Sequence, residues 1–335
     1  MRLFKTLCAA ALVVGAGMAA PLAMAQTYTM KLSTSTNNDV LFEWLNTFKR
    51  GIEASSGGKI KAEVYPSSQL GSIPRTIEGV ALGTIEVSMN ASGFFEGIEP
   101  RFSVMAAPGL FKSAAHTTQV LTDPESQKRL ASFGEGKGVA VLTVIPAAPY
   151  AIISHKPIAA LADFSGQKIR VPGSPIQLAQ MKEFGALPLS MPFGEVLPAL
   201  QNKTIDGVWA APNLFVAFKY YDVAKTYTTL PDSWAVAVAL INRNFLKTIG
   251  PDLERMVFEE ARKADAAMVK WGVDDMAKAV DVWKKNGGTA LELSPADAKV
   301  FNEKSLAVAK PLLTTTPTQQ ADLDAFLKVA EKYSK

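Results

Sequence analysis

The sequence predicts an α/β protein built in about two parts, and three observations carry this. Residues 28–90 alternate strand-like and helix-like patterns in a β-α-β-α-β series. A second such series begins near residue 139. A helical pattern then runs from Pro251 towards Trp283, long enough to cross between two domains. A chain of 335 residues fits about two domains of ~150 residues.

Residues 1–25 stand apart. Arg2 and Lys5 precede an apolar run from Leu7 to Ala20, followed by Ala23-Met24-Ala25. This is the pattern of a secretory signal peptide cleaved after Ala25. The run is short for a membrane span and contains Gly15 and Gly17. Cleavage would remove Cys8, the only cysteine, leaving neither a disulfide nor a thiol nucleophile. No later segment holds an apolar run long enough to span a bilayer, so a soluble product outside the cytoplasmic membrane is expected, in the periplasm.

Tyr28–Ser33 alternates as a strand, and Ser33–Asn38 is a polar loop. Leu41, Trp44, Leu45, Phe48 and Ile52 recur at helical spacing until Gly57-Gly58. Lys59–Tyr65 reads as a strand, Ile73–Leu82 as a helix and Gly83–Asn90 as a third strand. In the second series Val139–Ile145, Tyr150–Ser154 and Gln167–Val171 read as separate strands. Pro175–Phe184 and Glu195–Gln201 read as helices, and Ile205–Trp209 as a short strand. Ala235–Ile241 is wholly apolar and suits a strand buried on both faces. Pro251 opens the long helix, which Gly287-Gly288 ends. Further helices start at Ser294-Pro295 and run from Thr318 to Tyr333.

The residues offer little for catalysis. The histidines are His116, expected on a surface helix, and His155, in a strand-end turn. There is no metal-ligand spacing and no nucleophile elbow, so neither a metal nor a cofactor is expected. Gly134-Glu135-Gly136-Lys137-Gly138 does not match a phosphate loop and precedes a strand rather than a helix. Glu195 and Asp206 read as a helix-start acid and a turn acid before they read as an acid/base pair. The small net charge, +4, is scattered, and nucleic-acid binding is not expected.

Gly166–Pro212 is the most informative stretch. It holds Gly166, Lys168, Ile169, Arg170, Val171 and Pro172, then Pro192, Glu195, Val196, Ala199, Leu200 and Gln201, then Asp206-Gly207. Upstream stand Gly58-Lys59-Ile60, Tyr65-Pro66-Ser67-Ser68-Gln69-Leu70-Gly71 and Leu82-Gly83-Thr84. In this order and spacing the chain resembles the solute-binding subunit of tripartite ATP-independent periplasmic (TRAP) transporters, the DctP-type family. The resemblance runs over essentially all of residues 26–335.

The resemblance implies a two-domain periplasmic-binding-protein fold with a central cleft and a long helix bridging both domains. One domain would comprise 26–147 and 236–275, the other 148–235 and 276–335. It also implies that Arg170 pairs with a solute carboxylate, that Phe193 walls the cleft, and that the protein delivers its solute to the membrane permease subunits; a monomer is expected of such a diffusible receptor. Where family members often carry polar contacts, this chain has Tyr150, Gly173 and Ala210, and Trp209 adds apolar bulk. A small or partly apolar acid therefore fits better than a polyhydroxylated one. Aromatic acids, oxo- or hydroxy-acids and C4-dicarboxylates remain open. Thr34, Ser35, Asn90 and Phe94 are expected on the opposite wall, with Asn213 and Trp234 as further candidates. An exported enzyme acting on organic acids and a ligand-sensing receptor of the same fold are the competing readings.

Overall fold

The computed structural model describes residues 27–191 and 193–334. The expected signal peptide at 1–25 and Pro192 of the family-like motif lie outside the described residues. The elements follow in chain order. Strand β1 (Tyr28–Thr34) is followed by α1 (Val40–Ser55), β2 (Ile60–Tyr65), α2 (Ile73–Leu82) and β3 (Val87–Ala91). Then come α3 (Ala114–Thr122), α4 (Pro124–Leu130), β4 (Val139–Ser154), β5 (Lys168–Val171), α5 (Pro175–Glu183) and β6 (Leu187–Ser190). Next are α6 (Phe193–Gln201), β7 (Gly207–Ala210), α7 (Pro212–Ala217), β8 (Thr226–Asn242) and α8 (Arg243–Lys285). The chain closes with β9 (Thr289–Glu292), α9 (Pro295–Leu313) and α10 (Pro317–Lys332).

The strands form one continuous ladder in the order β2-β1-β3-β8-β4-β7-β5-β6, with β9 added beside β8. Its centre is the antiparallel pair of long strands β4 and β8. Residues 235–242 of β8 pair with β3 and with the start of β4, and residues 226–229 pair with the end of β4 and with β9. The two strands thus belong to both halves of the molecule. Their register shifts around Pro146–Ala151, where prolines remove ladder donors and bend the strand without ending it. This differs from the sequence expectation, which splits 139–154 into two strands and begins the eighth strand only at Ala235.

Period two explains how each half buries its sheet. Val236, Val238 and Leu240 of β8 face one cluster with Ile77, Val80, Phe95 and Phe102. Ala237, Ala239 and Ile241 face another with Met30, Trp44, Phe48 and Val257. In the other half Val208 and Ala210 pack with Phe215, Tyr220 and Trp283, and Trp209 packs with Ile169, Val171 and Phe301. Helices cover both faces throughout, which is why the central strands read as unbroken apolar runs.

Helix α8 is the physical link between the halves. Gly250 (φ 80°, ψ 167°) interrupts it, and Pro251 restarts it as expected. Leu253, Val257, Ala264 and Met268 pack in the first half, and Trp283 packs in the second. Asp265 accepts hydrogen bonds from Trp44 Nε1 at 2.6 Å and Thr143 Oγ1 at 2.7 Å on the first half. Asp275, almost three turns on, accepts from Asn213 Nδ2 at 2.9 Å on the second.

Two expectations are corrected here. Residues 276–335 do not belong whole to the second half, because Leu323, Phe326, Val329 and Ala330 of α10 pack with Phe102, Val104 and Phe133 of the first. The chain therefore returns to the half where it began. His116 is not on a surface. It is 6% exposed on α3, and its Nε2 lies 3.0 Å from the Ala330 carbonyl of α10.

Candidate binding site

The site lies between the two halves of the sheet. An open cleft of about 1110 Å³ is lined by Ser35, Phe94 and Glu96 from the first half and by Gly173, Ser190 and Phe193 from the second. A smaller inner cavity of about 80 Å³ shares Ser35, Ile73, Phe94 and Phe193 with it, so the two adjoin. Arg170 lines this inner cavity, together with Asp39, Tyr150 and Asn213.

Strand geometry aims Arg170. Ile169 and Val171 point into the core of the second half, so Arg170 between them points to the opposite face. It is 1% exposed. Its Nε and Nη2 donate to the Met191 carbonyl at 3.4 and 3.2 Å, and Nη1 donates to the Trp209 carbonyl at 3.4 Å. These are long for N–H···O bonds, whose usual length is about 2.9 Å. The Phe193 ring centroid lies 5.2 Å from the guanidinium carbon, a cation–π contact. Among the described residues no carboxylate comes within ion-pair distance. Burial pulls the arginine down to about 10, with Tyr220 and Tyr150 nearby opposing the shift, so it stays cationic at neutral pH. Five donors and a full charge are thus held in low dielectric on three stretched carbonyl contacts.

The surrounding side chains are aromatic or small. Tyr150 meets Trp209 edge-to-face at 5.6 Å, and burial pushes its hydroxyl up to about 12. Trp209 contributes its carbonyl to Arg170, while its ring lines a side chamber with Trp234, away from the inner cavity. Gly173 lines the cleft, where a Cβ would lie 3.6 Å from the Phe94 ring and 3.8 Å from Ser190 Oγ. Between the halves, buried Ser174 Oγ donates to Glu96 Oε1 at 2.9 Å. Burial there pushes the Glu96 carboxyl up to about 7.

Of the residues expected on the first-half wall, Ser35 and Phe94 line the cleft. Thr34 and Asn90 do not. Asn90 accepts from Ser35 Oγ at 3.1 Å and donates to Ser88, while Thr34 contacts Thr36, so both stand behind the wall. Asn213 lines the inner cavity with its amide already engaged by Asp275 and Leu214 N. Glu195 lines the cleft, while Asp206 accepts from Lys168 N at the far end of β5, so the two acids serve different places.

Sequence reasoning missed three participants. Asp39 caps α1, accepting from Phe42 N at 3.0 Å, and lines the cavity. Its position just before a helical pattern was the available signal. Glu96 sits in a turn without periodicity. Tyr220 is fully buried beside Arg170, with a hydroxyl that has no hydrogen-bond partner among the described residues.

Comparison with known proteins agrees with this architecture. The family model "DctP: Bacterial extracellular solute-binding protein, family 7" matches residues 33–314. The 2,3-diketo-L-gulonate-binding periplasmic protein YiaO of Escherichia coli is 29% identical over 273 residues, covering 81% of this chain and 82% of that one. A TRAP periplasmic solute binding protein from Desulfovibrio salexigens superposes with a TM-score of 0.87 at 24% identity, over 92% of this chain and 100% of that one. One from Sulfurospirillum deleyianum, with bound succinate, does so with 0.80 at 26% identity, over 91% and 99%. The two-domain periplasmic-binding fold expected from the sequence is the fold of these structures, and the chain belongs to the DctP family of bacterial extracellular solute-binding proteins.

Proposed function

We propose that this protein is the extracytoplasmic solute receptor of a TRAP transporter, that it binds a small organic acid between its two halves, and that Arg170 holds the acid's carboxylate. The observation that carries the reading is the buried Arg170 guanidinium, which lines an interlobe cavity without an acidic partner among the described residues. A planar guanidinium can take a carboxylate through two parallel hydrogen bonds. The names of the relatives agree: 2,3-diketo-L-gulonate and succinate are both carboxylates.

In this reading one lobe is residues 26–147 with 236–275 and α10. The other is 148–235 with the end of α8, β9 and the start of α9. Closure brings Glu96 against Ser174 over the solute, and α8 connects the lobes. The receptor works as a monomer in the periplasm, reached through the signal peptide at 1–25, and hands its solute to the membrane permease subunits. Among the described residues no helix is long and apolar enough to cross a membrane. The protein performs no chemistry on the acid.

The test is isothermal titration with a panel of carboxylic acids, using wild type and Arg170→Ala. Stoichiometric binding that needs Arg170, with the acid recovered unchanged, supports the reading. Binding that survives the substitution, or conversion of the acid, contradicts it.

A further inference from the structure

The charge distribution of the cleft narrows the class of acid, an inference that rests on the carboxylate-receptor reading above. Among the described residues lining the cleft and the inner cavity, Arg170 is the only cation. Three acids line the same space: Asp39 in the inner cavity, and Glu96 and Glu195 in the outer cleft. Arg170 can neutralise one carboxylate. A second carboxylate on the same solute, lodged in the inner cavity, would meet buried Asp39 and no further cation among the described residues, where an unpaired anion is costly.

Asp39 is the acid best placed to enforce this. It is 2% exposed and contributed by the first half, whereas Arg170 comes from the second. The two line one cavity without forming an ion pair, so a solute held by Arg170 extends towards Asp39. The groups around Asp39 are Thr36, the backbone N–H of Leu41 and Phe42, and a second acid, Asp275; among the described residues no cation faces it. Most of the rest of the inner wall is apolar, with Val40, Leu41, Ile73, Phe94, Phe193 and Leu214. Its polar groups are largely engaged, Ser35 with Asn90 and Asn213 with Asp275, leaving few partners for a chain of hydroxyls.

We infer that the solute is a monocarboxylate with a compact, uncharged and mainly apolar body, and that Asp39 is the specificity residue that rejects a second carboxylate. A hydrogen-bond donor at the end remote from the carboxylate, such as a hydroxyl, suits the Asp39 side of the cavity.

The experiment uses ligand-free protein at pH 7.5, titrated with 2-oxo-3-methylbutanoate, 2-hydroxy-3-methylbutanoate, benzoate, 4-hydroxybenzoate, succinate and D-galacturonate. At least one of the four compact monocarboxylates should bind tighter than the dicarboxylate succinate and the polyhydroxylated galacturonate by about tenfold or more, a difference of about 1.4 kcal/mol. Asp39→Asn removes the charge and keeps a good helix cap, and Asp39→Ser is a second capping variant. Either should improve succinate relative to the best monocarboxylate by about tenfold, again about 1.4 kcal/mol. Loss of all acids in equal proportion would mean that Asp39 is only a cap, and would overturn its specificity role. Wild type preferring succinate or galacturonate, with that binding abolished in Arg170→Ala, would overturn this inference and leave the carboxylate-receptor reading standing. Binding of none of the acids would overturn both.

Discussion

Two arginines with limited access to solvent show opposite solutions to the same electrostatic problem. Arg101 sits among Glu99 at 2.9 Å, Asp322 at 4.0 Å and the Ser132 hydroxyl and carbonyl, with its guanidinium over the Phe133 ring. Its Glu99 neighbour holds it above the usual arginine range. Arg170 is more deeply buried, has carbonyls and the Phe193 ring where Arg101 has carboxylates, and burial pulls it down. The first arginine is complete within the chain and ties α10 to the first half. The second has no acidic partner among the described residues, and in the proposed reading an anion supplied from outside completes it. A buried charge without a partner is unfavourable in itself, so its retention at a cleft points to binding rather than to stability.

The contrast makes predictions that can break it. Arg170→Ala should weaken binding of the cognate acid by more than about a hundredfold, since breaking a buried pair costs about 3–5 kcal/mol. The ligand-free variant should unfold at no lower denaturant than wild type, because no internal pair is lost. Arg101→Ala should do the reverse. It should lower unfolding stability by about 2–3 kcal/mol by leaving Glu99 without its cation, while Asp322 keeps Arg129 at 2.9 Å and the acid binds to the folded protein as before. Equilibrium denaturation and calorimetric titration of the two variants side by side would decide this. If the two substitutions exchanged their effects, the distinction between a structural and a solute-binding arginine would be lost.

Helix α8 extends the comparison to acids. Burial pushes Asp265 up to about 6 despite its bonds to Thr143 and Trp44. An acid raised in the folded state contributes stability that is complete below its ordinary value near 4 and is lost as pH rises through about 6. The stability of wild type relative to Asp265→Asn should therefore fall on the order of 3 kcal/mol between pH 4 and 7 and stay flat above. A difference that rises with pH would reverse the assignment. The smallest effect concerns Gly173. Gly173→Ala should leave affinity nearly unchanged, since its Cβ meets only ordinary contacts. Gly173→Leu should hold Phe94 and Ser190 apart and weaken binding by about tenfold, or about 1.4 kcal/mol.

Much of this fold could be read from local pattern. Leu41, Trp44, Leu45, Phe48 and Ile52 are all buried on α1, and the glycines at 57 and 58 both take left-handed conformations after it. The long central strands could not be read that way. Pro146, Pro149 and Pro231 look like strand breaks, and only the tertiary pairing of β4 with β8 carries the chain through them. Strands β6 and β9 are four-residue pieces, too short to show a period, and α3 and α4 are short helices whose buried faces are narrow. In the site, the motif around Arg170 was visible, but its lack of an acidic partner among the described residues is a property of three-dimensional neighbours. Thr34 and Asn90 failed as wall residues for a related reason. Strand register puts them behind Ser35, and sequence position alone does not give depth.

The central claim is that Arg170 is kept without an internal anion so that a solute can supply one. A crystal structure of the protein with its acid tests this most directly. The account predicts both carboxylate oxygens of the solute within about 2.7–2.9 Å of the Arg170 guanidinium, in the paired geometry of charge-assisted hydrogen bonds. An acid bound elsewhere, with Arg170 still resting only on the carbonyls of Met191 and Trp209, would contradict it.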